Sequence, residues 1–300
     1  MKLVRFERDG QAAIGIVRGD MVVDLAEGLA AMDAADPELA RAAARGSMRA
    51  FLEVGEPALA VARRAAETGA AASPLADAKL LAPVGDPEKI VCVGQNYRDH
   101  CEEQNQPIPD RAILFAKYPS AIIGPWATIM LPPLSKQVDY EAELAFVVGK
   151  RGRFIPEDRA HEHIAGYMCL NDISARDIQF ADKQWVRGKT FDTFAPTGPW
   201  LVTADEVGAS QRLDISLALN GCEMQRSNTR NLVFGVNFLV AYISAVVTLQ
   251  PGDIVATGTP GGVGAFRNPP VFLQQGDEVS VTIERIGTLT NRVAAGDGPA

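Results

Sequence analysis

From Lys89 onward the chain is cut into short strand-like runs by glycine, proline and turn pairs, with almost no helical period between them. "KIVCVG", "AILFAKY", "TIMLP", "YEAELAFVVG", "AGYMCLND", "PWLVTA", "DISLALNGCEMQ", "GDIVATG" and "GDEVSVTIERIG" follow one another in this way. A parallel doubly wound sheet needs a helix between successive strands, so this spacing excludes one. It predicts an α+β chain whose larger part is a β-rich mixed sandwich or roll with irregular connections. The first 24 residues read differently, as a meander turning at Asp9-Gly10 and Gly19-Asp20. Residues 37 to 70 are alanine-rich with helical spacing: "DPELARAAARGSMRAFLE" opens on Asp36 as N-cap and Pro37 at the first helical position, and "PALAVARRAAET" follows Glu56. With "GAAASP" as a linker, the boundary falls between residues 70 and 86. That gives a small α/β domain over 1–80 and a larger β-rich domain over 85–300.

Composition narrows the partners. A formal charge of -8 argues against nucleic acid or an anionic membrane surface; if the substrate is an anion, local cations must attract it against the overall field. The 18 uncharged residues from Leu232 to Leu249 reach the lower limit for a membrane span, but Gly235, Asn237, Tyr242, Ser244 and Thr248 interrupt them. The run is read as a core helix, with no membrane partner. Cys92, Cys101, Cys169 and Cys222 have neither CxxC spacing nor disulfide-scaffold density, which points to a reducing compartment. The charged opening "MKLVRFERDG" is no signal peptide, so the expected location is the cytoplasm.

The chemistry collects at "VDYEAELAFVV", residues 138–148. One face of this strand is wholly apolar, whereas the other begins Asp139, Glu141, Glu143 before turning apolar at Ala145. Carboxylates at i and i+2 repel, so that end lies in water or faces something positive. Glu141 and Glu143 share a face at a spacing suited to one hard cation, and Asp172 in "LNDISARD" offers a third oxygen ligand. An all-oxygen set fits Mg2+ or Mn2+ and not structural zinc. Spacing alone leaves open a solvated strand end and a turn aspartate, with Asp139 solvated or supporting. His161 and His163, at i and i+2, read as surface residues. His100 sits one helical turn before Glu103, a pairing in which the carboxylate would fix the imidazole tautomer for general-base work. The loop "ATGTPGGVG" lacks nucleotide-binding patterns, yet its amides and the hydroxyls of Thr257 and Thr259 suit a small carboxylate.

Taken in order, "KIVCVGQNYRDH", "VDYEAELAFVVGK", "GYMCLNDISARDIQ", "RGKTFDTFAPTGPW" and "LQPGDIVATGTPGGVG" resemble the fumarylacetoacetate hydrolase (FAH) family over about residues 85–295. The leader is similar to the N-terminal region of longer bacterial and mitochondrial members. The resemblance implies the FAH-type β-sandwich/roll, a homodimer, and metal ligation by Glu141, Glu143 and Asp172. It implies substrate contacts from Lys117, Arg176, Gln179 and Thr259, and a catalytic set of His100, Glu103 and Lys189. Two positions depart from the fumarylacetoacetases proper. Val93 stands where they carry a fourth metal-binding Asp, and "GGVGAFRNPP" offers no catalytic Glu, so fumarylacetoacetate is a poor substrate choice.

These residues predict an enzyme for small anionic 2-oxo acids in which the cation stabilises negative charge as an enolate forms. The first reading is a metal-dependent hydrolase or decarboxylase cleaving C–C bonds of acylpyruvate-like or oxaloacetate-like acids. The alternative is an oxaloacetate-type keto-enol tautomerase or a hydroxymuconate-type isomerase in the same site. A catalytically silent metal-binding scaffold is disfavoured because every polar motif position is filled. The polar, proline-containing segment 96–110 is expected to act as a lid over the site.

Overall fold

The structure is a computed structural model that describes residues 1–32, 37–68 and 72–296. The expected N-cap at Asp36 and the first half of the "GAAASP" linker lie outside the described residues. The opening meander forms as read, with strands Lys2–Arg8, Gln11–Arg18 and Met21–Asp24. Its first strand pairs antiparallel with Ala195–Thr203 (Lys2 opposite Val202, Leu3 opposite Leu201), so the meander extends the sheet of the larger part.

That sheet has 12 strands and is mixed. From Ala195–Thr203 it runs antiparallel through Ile164–Asn171 and Ala142–Val148 to Ile254–Ala256, then parallel to Ile90–Gly94. A five-stranded sheet built from Cys222–Asn228, Asp214–Leu219, Glu278–Ile283, Gly287–Ala295 and Thr128–Leu131 packs on one face. The N-terminal helices cover the other. The result is an α+β architecture of three layers, with the 12-stranded sheet at its centre.

Period-two alternation explains how one strand serves both layers. Leu144, Phe146 and Val148 enter the core shared with the five-stranded sheet, alongside Leu217, Val281 and Leu289. Ala145 and Val147 face the other way, into the core lined by Leu39, Phe51, Leu52 and Ala62 of the helices. Burial on both faces is why the run is almost uninterruptedly apolar until the layers end.

Two elements depart from the sequence reading. "DPELARAAARGSMRAFLE" is two helices, Pro37–Ala44 and Met48–Glu53, because Gly46 takes φ +62° and Ser47 caps the second through a bond from Ala50 N. Residues 138–148 are two strands, Val138–Asp139 and Ala142–Val148, parted at Tyr140 and Glu141. The apolar run after Leu232 does form a core helix, Val236–Val246, and no helix among the described residues is long and apolar enough to cross a membrane.

Candidate active site

The break at Tyr140–Glu141 builds the site. Glu141 N donates to Asn171 Oδ1 at 3.0 Å, and its carbonyl accepts from Asp172 N at 2.9 Å. This cross-link ties the two acidic segments together where their strands end. Glu141, Glu143 and Asp172 each bring one carboxylate oxygen within 4.8 Å of the others, and all three are buried.

Something positive does sit over them. Lys189 Nζ lies 2.7 Å from Glu141 Oε2 and 2.9 Å from Asp172 Oδ2, and Lys117 Nζ lies 2.6 Å from Asp172 Oδ1. Arg176 reaches Glu141 Oε1 through Nη2 at 2.7 Å and Asp139 Oδ2 through Nε at 2.9 Å. Asp139 is fully buried, which corrects the option of a solvated carboxylate. It also accepts from Gly264 N and Ala265 N, anchoring the loop beyond Thr259.

Three cations therefore face four buried carboxylates, and Glu143 is the carboxylate with no lysine or arginine against it among the described residues. Its bond is from Gly258 N at 2.7 Å, where φ is +103° and an added Cβ would lie 2.8 Å from Asn96 Cβ. Glycine permits that approach. Burial, then repulsion from Asp172 and Glu141, pushes Glu143 well above the usual carboxylate range. Burial would raise Glu141 too, but Lys189 and Arg176 outweigh it and hold that group down to about 2.

The donor set fits a hard divalent cation. Each carboxylate oxygen that meets a lysine or arginine keeps a second lone pair, and one divalent charge turns the cluster's excess of one negative charge into an excess of one positive. The residues that would hold Mg2+ or Mn2+ are Glu141, Glu143 and Asp172. Because Glu143 holds its proton to unusually high pH, Mg2+ uptake is expected to expel that proton and to weaken as pH falls. Titration calorimetry in buffers of different ionisation heat reads the proton count. Heats independent of buffer would contradict it.

The other named residues converge on the same place. A cavity of about 170 Å³ is lined by Glu141, Glu143, Arg176, Gln179, Lys189, Thr259 and His100. Lys117 lies behind the carboxylates, fully buried. His100 Nδ1 meets Glu103 Oε2 at 3.1 Å, and Glu103 Oε1 accepts from Gly262 N at 2.9 Å. Gln179 Oε1 accepts from Arg176 Nη1 at 3.0 Å. His161 and His163 are not part of the site; they end a 3-10 turn on the surface. The segment expected to act as a lid lies folded onto the site, held by Asn96 to Thr257 O and Phe234 O and by Glu103 to Gly262.

Sequence reasoning missed part of the wall. The Gln104 amide nitrogen lies 2.6 Å from His100 Nε2, and its i+4 spacing from His100 was the available signal. Phe115, Phe180, Trp185 and Phe266 close the cavity's apolar side, brought there from separate segments with no local pattern to mark them.

Comparison with known proteins gives the same picture. The family described as fumarylacetoacetate (FAA) hydrolase C-terminal matches residues 89–294. Oxaloacetate tautomerase FAHD2A, mitochondrial, from Bos taurus is 47% identical over 297 residues, covering 98% of this chain and 91% of that protein. Its mitochondrial designation overturns the cytoplasmic expectation, for a charged opening and free thiols do not single out one reducing compartment. A putative HpcE protein from Mycobacterium smegmatis superimposes with a TM-score of 0.84 at 37% identity, covering 99% of this chain and 100% of that one. Maleylpyruvate hydrolase from Sphingobium sp. SYK-6, solved with manganese(II) and pyruvate, has a TM-score of 0.79 at 34% identity with the same coverage. Sequence motifs, three-layer fold and relatives lead to one assignment: the chain is an enzyme of the fumarylacetoacetate hydrolase family.

Proposed function

We propose that the protein interconverts the keto and enol forms of oxaloacetate or of a 2-oxo acid of that size. The observation that carries this reading is the small cavity lined together by His100, which Glu103 holds from behind, by the cationic Arg176 and Lys189, and by Glu141 and Glu143 of the carboxylate triad. A cavity of about 170 Å³ suits a four-carbon acid better than an acylpyruvate with a long tail. Similarity to the bovine oxaloacetate tautomerase over 98% of the chain supports the same choice and raises the alternative reading above C–C hydrolysis.

Arg176, Lys189 and Thr259 hold the acid's oxygens and supply the positive field that the chain lacks overall. Glu103, fixed by Gly262 N, keeps the His100 proton on Nδ1, so the Nε2 lone pair meets the Gln104 amide nitrogen at 2.6 Å; once substrate displaces that amide, Nε2 is the base that takes a proton from C3 and returns it to oxygen. A divalent cation on the triad, when bound, adds Lewis-acid polarisation of the substrate oxygens. Enol oxaloacetate mixed with protein and Mg2+ is expected to lose its ultraviolet absorbance faster than in buffer with Mg2+ alone. Decay at the buffer rate, together with cleavage of an acylpyruvate, would overturn the assignment in favour of the hydrolase.

Hydrolysis is the second reading, favoured by the fold and coverage shared with the maleylpyruvate hydrolase. We propose further that the protein is a homodimer. Exposed Trp126, Leu134, Phe154 and Val246 supply apolar surface for an interface. Sedimentation is expected to give twice the 32.1 kDa chain mass at micromolar concentration, and a monomer there would refute it.

A further inference from the structure

Outside the cavity, one fully buried amide has its orientation forced at both ends. Gln225, in the strand Cys222–Asn228, is 1% exposed. Its Oε1 accepts from Ala142 N at 2.8 Å, and its Nε2 donates to Pro260 O at 2.8 Å and to Thr259 Oγ1 at 2.9 Å. A backbone N–H can only donate and a carbonyl can only accept, so the amide has one orientation here. Both Nε2 protons are then spent, one on Pro260 O and one on Thr259 Oγ1.

Thr259 is consequently an acceptor on the Gln225 side, and its single hydroxyl proton must point elsewhere. Among the described residues no side chain or carbonyl accepts that proton, and Thr259 lines the cavity. We infer that Gln225 is a positioning residue: by donating to Thr259 Oγ1 it aims the threonine proton into the cavity as a preset donor for a substrate oxygen. The same amide holds Ala142, which lies between Glu141 and Glu143. One side chain thus keeps the donor in register with the acidic strand. The arrangement selects ligands that present an acceptor oxygen there, a carboxylate or a keto or enolate oxygen. It selects against ligands that place an ammonium or another donor at that point. The inference rests on the oxo-acid reading only for the identity of the ligand class.

The test is binding, not turnover, so it fails separately from the proposed reaction. Pyruvate binding to the Mg2+-loaded protein is measured by calorimetry. In Gln225→Glu the carboxylate offers no proton to Oγ1, and the hydroxyl turns back to donate to it. Pyruvate affinity is expected to fall about tenfold or more, the scale of one hydrogen bond to a charged group. Thr259→Val is expected to lose as much, Thr259→Ser to stay near wild type, and the Gln225→Glu/Thr259→Val double variant to lose no more than Thr259→Val alone. Losses that add in the double variant would show that Gln225 acts on structure and not through Thr259, overturning the inference. If Gln225→Glu does not fold, the Thr259 pair still decides: wild-type pyruvate affinity in Thr259→Val would overturn it. An intact cycle with no tautomerisation would sink only the proposed reaction.

Discussion

Glu143→Ala is expected to abolish divalent-cation binding and turnover together while leaving the fold in place. Of the three carboxylates of the triad, Glu143 has no lysine or arginine against it among the described residues, so a bound cation is its main source of compensating charge. Removing it leaves Glu141 and Asp172 still neutralised by Lys189, Arg176 and Lys117, a set with little residual attraction for a second positive charge. Turnover is expected to fall by at least about 10³-fold, the scale on which stabilisation of a developing oxyanion is lost. The metal-free protein gains from relief of burial and carboxylate repulsion, which offsets the packing lost with one methylene and the carboxyl group. Scanning calorimetry would therefore show a melting temperature close to that of the metal-free parent, with the Mg2+-induced rise gone. Full activity of the parent after exhaustive chelation would defeat the argument.

Glu103→Gln carries the second large effect. The new amide can keep its oxygen on Gly262 N, which turns its NH2 toward His100 Nδ1. Two donors cannot face each other, so the imidazole proton moves to Nε2, where Gln104 turns its amide oxygen to accept it, and the base loses its lone pair on that side. A fall of ~10²–10⁴ in proton transfer follows, the usual worth of a general base. Deuterium uptake at C3 of a bound oxo acid, followed by NMR beside C–C cleavage of an acylpyruvate, separates the two readings. If uptake falls with the substitution, His100–Glu103 is the enolising pair and the tautomerase reading stands. If uptake persists while cleavage collapses, the pair activates water and the protein is a hydrolase.

Much of this was legible from residue order because period-two alternation reports burial directly. Leu144, Phe146 and Val148 on one side and Ala145 and Val147 on the other are the two layers of core as the structure has them. The acidic end was legible as a question only. Its answer, Lys189, Lys117 and Arg176, comes from segments far apart in the chain, and motif resemblance rather than spacing brought them together. The break at Tyr140–Glu141 was hidden because alternation continues unbroken across it. The alanine-rich stretch looked like one helix because a single glycine lowers helicity without announcing that its φ is positive. The aromatic wall left no local trace at all. Phe115, Phe180, Trp185 and Phe266 are neighbours only through the tertiary fold.

Glu143 stands on a strand hydrogen-bonded along both edges and covered on both faces, and Asp172 follows directly from the strand beside it. Loop-borne ligands can breathe to suit ions of different radius, whereas these inherit the stiffness of the molecule's interior. A cage that cannot widen discriminates by size. With a cation bound there, such a cage would favour the smaller Mg2+ or Mn2+ over Ca2+, whose longer bonds would press on the strand that carries Glu143.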